Sequence, residues 1–226
     1  MKIDILTLFP KMFTGPFNES IIKRAQAKGL VEINIHDIRV WGEGERKTVD
    51  DRPYGGGVGM ILRVDIIEKA VSELKKDSQS TKVILLDATG KKFTQGMARQ
   101  LSQAEHLILI AGHYEGFDHR VHEHLVDEVI SIGDYVLTGG ELPAMVLTDT
   151  IVRLIPSVLE KPSATEIESF SEENILEFPQ YTRPEEYKGW KVPEELLSGN
   201  HKLIEKWRKK RALEKTKKQR PDLLKE

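Results

Sequence analysis

The chain has 226 residues, 39% of them apolar and 31% charged, with 34 basic against 36 acidic side chains and no cysteine. That balance describes a soluble globular protein and excludes a disulfide framework, a thiolate nucleophile and a zinc site of the Cys type. No apolar run approaches the roughly 18 uninterrupted residues of a membrane span, so a cytoplasmic protein without a membrane partner is expected.

The opening residues 2–8 read as a strand rather than a signal peptide, because Asp4 interrupts the apolar run and no cleavage-type ending follows. Further strands are expected over residues 31–36, 83–87, 106–111 and 126–132. Helical spacing occupies residues 18–28, 64–75, 94–101 and 141–154 between or after them. Buried strands alternating with helices predict an α/β domain with a mainly parallel sheet. Residues 75–82 form a polar surface loop in this reading, and His119, His122 and His124 crowd one surface helix without making a metal-ligand cluster.

Three glycine-bearing segments follow predicted strands: Asp87-Ala88-Thr89-Gly90, Gly112-His113-Tyr114-Glu115-Gly116 and the stretch from Ile132 to Gly140. Loops at the carboxyl ends of parallel strands are where ligands sit in open α/β sheets. None of the three matches a dinucleotide fingerprint or a P-loop. A nucleoside held by backbone groups suits them better than a phosphate cradle does, and plain turns are the alternative. A fourth segment, residues 49–60, packs Asp50, Asp51, Arg52 and four glycines into a long irregular region, as a mobile substrate loop or a plain flexible one would.

The pattern changes near residue 160. Residues 161–172 read as a flexible linker, and residues 173–226 as a small basic helical domain after the α/β domain of residues 1–160. From residue 200 to the end there are eleven Lys/Arg against four acids, a local charge of +7 that leaves −9 for the rest. The expected helix over residues 201–218, capped by Asn200 or Ser198, has Leu203, Ile204, Trp207 and Leu213 on its apolar side. Its basic face is either a polyanion-binding surface or a solvated one.

Several phrases resemble one family. Leu8-Phe9-Pro10-Lys11-Met12-Phe13, Asp50-Asp51-Arg52-Pro53-Tyr54-Gly55-Gly56-Gly57, Gly112-His113-Tyr114-Glu115-Gly116-Phe117-Asp118 and the long run from Ser131 to Met145 are similar to bacterial tRNA (guanine-N1)-methyltransferases. Pro179-Gln180-Tyr181-Thr182-Arg183-Pro184 and Leu197-Ser198-Gly199-Asn200-His201 extend the likeness, which runs from Met1 to about Leu224. The resemblance implies a SPOUT-type fold with a deep trefoil knot, a homodimer whose active sites span the interface, and S-adenosylmethionine as methyl donor. It implies methylation of guanine at tRNA position 37, beside the anticodon.

Residue by residue, the resemblance assigns the donor pocket to Leu85, Leu86 and Asp87, to Gly112, Tyr114, Glu115 and Gly116, and to Ile132, Gly133, Asp134, Tyr135, Val136, Leu137, Thr138, Gly139 and Gly140. The family's general base is an aspartate in an Asp-Ser-Phe phrase; here the matching phrase is Glu168-Ser169-Phe170, a longer carboxylate in the expected linker. Arg153 matches the partner arginine that holds the guanine O6, and Asp50 matches an acid of the glycine loop. Lys202, Lys206, Arg208, Lys209, Lys210 and Arg211 would contact tRNA phosphates. A magnesium ion beside donor or tRNA is compatible with the family, but no ligands for it are evident.

Three rivals remain. A kinase or dehydrogenase would need the phosphate loop or ribose-binding acid that is missing. A non-catalytic RNA-binding protein has only the Glu168 departure in its favour. A relative acting on ribosomal RNA or a ribose hydroxyl is opposed by the glycine loop and the Pro179–Pro184 phrase.

Overall fold

The computed structural model describes residues 1–75, 80–171 and 175–224. Residues 76–79 of the expected polar loop, residue 172 of the expected linker, and residues 173–174 and 225–226 of the expected C-terminal domain lie outside these. The chain divides into two compact units, Met1–Glu160 and Lys161–Glu226.

In the first unit the elements follow in order as β1 (Lys2–Thr7), α1 (Ser20–Ala27), β2 (Glu32–Asp37), the two-residue strands β3 (Asp50–Asp51) and β4 (Ile61–Leu62), α2 (Val64–Lys75), β5 (Thr81–Lys92), α3 (Gln95–Leu101), β6 (His106–Ala111), α4 (His119–His124), β7 (Glu128–Ser131) and α5 (Glu141–Val152). Five strands make one sheet in the order β2-β1-β6-β5-β7, and every pairing within it is parallel. This is the α/β architecture expected from the alternation of strands and helices.

The two-residue period of the strands sorts the core into layers. Ile3 and Ile5, Ile84 and Leu86, and Leu107 and Leu109 pack on one face with buried residues of α1, α3 and α5. Leu6, Val83, Leu85, Ile108 and Ile110 pack on the other with α2 and Val121 of α4. Both faces being covered explains why the strands read as continuous apolar runs.

β5 outruns its expected end at residue 87 because its pairing with β7 is interrupted. Leu86 and Lys91 both stand opposite Ile130, so residues 87–90 loop out of the ladder before pairing resumes. That bulge lies at the carboxyl end of the sheet, where it re-aims Asp87 and Ala88. The histidine helix α4 forms as expected, with Asp118 accepting from the backbone N–H of Arg120 at its start.

The second unit contains β8 (Glu186–Tyr187) and β9 (Trp190–Lys191) as an antiparallel hairpin, a short α6 (Glu194–Leu197) and the long α7 (His201–Gln219). Of the two candidate caps, Asn200 is the one used: its side-chain oxygen accepts from the N–H of Leu203 at 3.3 Å. Trp207, Ala212 and Thr216 are the buried residues of α7, so Trp207 is core rather than a stacking surface.

One charged group lies inside the sheet domain. Asp4, fully buried, meets His36 Nε2 at 2.8 Å, His106 Nε2 at 2.6 Å and Lys2 Nζ at 3.1 Å. Burial alone would raise its pKa; the hydrogen bonds from His36, His106, Lys2 and Asn34 prevail and hold the carboxyl far below the usual carboxylate range. A depressed folded pKa stabilises the fold above the unfolded value of about 3.9, and the contribution is lost as pH falls through the folded value. Asp4→Asn should therefore cost roughly 3–5 kcal/mol at neutral pH. Urea midpoints for the variant should decline less steeply than the parent's below about pH 5; parallel acid limbs would remove Asp4 from the pH response.

Candidate active site

The carboxyl ends of β5, β6 and β7 open into one cleft. Its lining includes Leu86, Asp87 and Ala88 from the β5 bulge, residues 112–117 after β6, and residues 130–133, 135–140 and 143 from the end of β7 into α5. The three glycine-bearing segments singled out in the sequence thus converge on one space.

Two of the assigned pocket residues do not line it. Leu85 has its side chain fully buried in the opposite core layer, because strand alternation turns it away from the face that Leu86 presents. Asp134 pairs instead with Lys92 Nζ at 2.9 Å on the surface. Ala88, His113, Phe117, Ile130, Ser131 and Pro143 join the lining without having been assigned. The apolar ones among them carry no chemical signal in the sequence, and Ser131 and His113 stand inside the quoted motifs without a pattern that would single out either side chain.

The cleft depends on backbones coming very close. Gly140 N–H donates to the Gly112 carbonyl at 2.8 Å. A Cβ built on Gly140 would stand 2.7 Å from Ala111 Cα and 2.9 Å from Gly112 N. On Gly112 it would stand 2.2 Å from the Phe117 ring. Tyr114 adopts a left-handed φ of 62° in the same loop, a strained state for a non-glycine residue that the surrounding structure has to enforce.

The charges facing the cleft are acidic. Asp87 Oδ1 accepts from the N–H of Thr89 at 2.8 Å and from its hydroxyl at 2.7 Å, while Oδ2 lies 3.6 Å from His122 Nε2. Burial works to raise the Asp87 pKa, but the Thr89 hydrogen bonds and His122 hold it below the ordinary value. Asp87 is therefore a fixed negative charge at neutral pH. Glu115 adds a second carboxylate, and among the described residues the lining includes no lysine or arginine. Such a site favours a cationic ligand and repels phosphate.

The glycine loop is stitched to this cleft. Glu115 N–H donates to the Met60 carbonyl at 3.0 Å, Leu62 N–H to the Gly116 carbonyl at 2.9 Å, and Asp118 N–H to the Leu62 carbonyl at 2.9 Å. Asp50, on β3, pairs opposite Leu62 of β4; it is outside the cleft lining but at the base of the loop that borders it. Arg153 follows the last turn of α5 as its C-cap residue and is half-buried. Glu168 belongs to the second unit, where its carbonyl accepts from the N–H of Ser171.

On α7 all six assigned basic residues are exposed. Lys209 pairs with Glu205 at 3.1 Å, and Arg211 with Glu214 at 2.8 Å. Arg208 stacks over the Phe178 ring at 4.8 Å.

The first unit is thus an α/β domain whose parallel sheet carries, at its strand ends, a cleft lined by carboxylates and without lysine or arginine among the described residues, and the second unit carries the basic helix α7. Comparison with known proteins narrows the class. The model of the family described as tRNA (Guanine-1)-methyltransferase TrmD matches residues 1–226, and the chain belongs to that family. Relatives named tRNA (guanine-N(1)-)-methyltransferase include one from Carboxydothermus hydrogenoformans, 55% identical over 225 residues, covering 100% of this chain and 88% of the relative. One from Halalkalibacterium halodurans is 53% identical over 99% of this chain and 91% of its own length. One from Staphylococcus epidermidis is 52% identical with the same coverage.

The close approach at Gly140 admits a direct test. Gly140→Ala forces a methyl group against Ala111 and Gly112, where the neighbours are backbone and cannot rotate aside, so urea unfolding should show a loss of about 1–3 kcal/mol. An unchanged midpoint would mean that the two loops have slack.

Proposed function

We propose that this chain transfers a methyl group from S-adenosylmethionine to N1 of guanine at position 37 of tRNA, beside the anticodon. The observation that carries the reading is the cleft itself: a family match over the whole chain coincides with a site whose chemistry fits the donor. S-adenosylmethionine is a nucleoside without phosphate and carries a net positive charge near neutrality. Asp87 and Glu115 offer it complementary carboxylates, and the glycines leave backbone groups accessible where a Cβ would fill the space.

Guanine N1 holds a proton and is a poor nucleophile until that proton leaves. In this reading Glu168 takes it as general base, a role that needs only a carboxylate brought within hydrogen-bond reach. Arg153 holds O6, where negative charge grows as the proton departs. Asp50 and the glycine loop orient the base, and the cleft loops set the donor for in-line attack. When bound, S-adenosylmethionine supplies an electrophilic methyl group with a neutral thioether as leaving group. The longer side chain of Glu168 replaces the family aspartate, and the proposal keeps it as the base. Magnesium has no named ligands in this reading.

The same reading makes residues 1–160 the donor-binding domain, residues 161–172 a linker and residues 173–226 the tRNA-binding domain. It carries the knotted threading of the family to the second half of the first domain, near the junction of Gly112 and Gly140. It makes the protein a cytoplasmic homodimer with active sites at the subunit interface. The exposed apolar side chains of Val136 in the cleft lining and of Leu142 and Val146, one turn apart on α5, support a second copy packing there. Among the described residues no helix is long and apolar enough to cross a membrane.

The decisive experiment is transfer from labelled S-adenosylmethionine to a tRNA transcript with guanine at position 37, beside one with adenine there. Product is expected only on the guanine transcript. Glu168→Gln should lower turnover by roughly 10²–10⁴-fold, the usual contribution of a general base, with donor affinity little changed; unaltered turnover would remove Glu168 from the mechanism.

The basic helix is tested separately. Replacing Lys209, Lys210 and Arg211 by alanine should weaken tRNA binding and lower its salt slope by roughly one for each phosphate no longer neutralised. A slope that stays put would leave this part of α7 a solvated face.

A further inference from the structure

A buried acid behind the cleft has no part in the chemistry above. Glu141 opens α5 and is 1% exposed. Its Oε1 accepts from the Thr7 hydroxyl at 2.6 Å, and its Oε2 lies 2.7 Å from His113 Nε2. The Thr7 oxygen in turn accepts from the N–H of Phe9 at 2.9 Å. The Phe9 ring stands edge-on to the His113 imidazole, with centroids 4.5 Å apart.

These residues come from three separate strand ends. Thr7 closes β1, His113 follows β6, and Glu141 begins the helix that follows the β7 loop. His113 is itself part of the cleft lining. A buried carboxylate is tolerated only with its lone pairs satisfied, and here two short hydrogen bonds are joined by the favourable field at the start of α5. The chain also leaves room for the pair: a Cβ on Gly139 would stand 2.2 Å from His113 Nε2 and 2.6 Å from Glu141 Oε2.

Holding three loops together would not by itself call for a buried charge, since apolar packing of similar volume is often as stabilising or more so. What a directional, hydrogen-bonded pair adds is a single orientation. We propose that Thr7, Glu141 and His113 form a positioning relay that locks residues 112–116 against residues 138–140 in the geometry that binds the methyl donor. The inference rests on the donor assignment of the cleft made above and extends it to residues outside the reacting groups.

The test is a double-mutant cycle on the full chain, reading the S-adenosylmethionine dissociation constant by calorimetry, with KM values for donor and tRNA measured in parallel. His113→Ala and Glu141→Gln should each weaken donor binding by roughly 10–100-fold, the change expected when a charge-assisted hydrogen bond is removed. The double variant should bind little worse than the weaker single one. The donor KM should rise while the KM for tRNA stays near the parent value. If Glu141→Gln fails to fold, Thr7→Val keeps the side-chain shape, removes one bond to the acid and should weaken donor binding in the same direction. Independent, additive losses, or donor affinity unchanged in folded variants, would overturn the relay. Failure of the unmutated chain to bind S-adenosylmethionine would instead sink the donor assignment.

Discussion

Where α5 begins, two stretches of backbone pass in van der Waals contact, and the cleft exists because they can. Gly140 lies over Ala111 and Gly112 with no space for a side chain between them, and a hydrogen bond between Gly140 and Gly112 fixes the approach. Every other cleft element is arranged around that junction. The β5 bulge brings Asp87 toward it from one side. The loop after β6 supplies Tyr114 and Glu115, and its backbone hydrogen bonds hold Met60 and Leu62 at either end of β4. Parallel strands make such a junction natural, because all of their carboxyl ends emerge on one edge.

Charge divides the labour between the two units. The cleft presents carboxylates and suits a cation, whereas α7 presents lysines and arginines and suits a polyanion. A near-neutral total of −2 conceals both. Under the proposed function the opposite signs would serve different ends, the cleft drawing a cationic donor and the helix tRNA phosphates, so that neither surface competes for the other's ligand. Several basic residues of α7 also have acidic neighbours one turn away, which orders the helix face in the absence of nucleic acid at small energetic effect.

Among the described residues of the sheet domain, the two fully buried carboxylates are each met by specific partners. Asp4 gathers two histidines and a lysine at one end of β1. Glu141 gathers Thr7 and His113 at the other. Both acids sit in or beside apolar runs that a hydropathy pattern reads as plain core, and both tie together segments far apart in the chain. The first network stabilises the sheet; the second borders the functional cleft.

By itself the sequence determined the class of fold, because continuous apolar strands separated by amphipathic helices leave few alternatives to a covered parallel sheet. The extents of β6 and α2, the cap at Asn200 and the core role of Trp207 were legible for the same local reasons. The motif from Ser131 to Met145 made the family legible, and with it most of the cleft lining. Local pattern could not say that Leu85 faces away from the cleft while Leu86 faces into it, since both are apolar and only the sheet's packing assigns a face to each. Nor could it show that Asp134 pairs with Lys92, that residues 87–90 leave the ladder, or that Glu141 meets Thr7 across more than a hundred residues. Those outcomes depend on the meeting of distant segments, and only the tertiary structure brings them together.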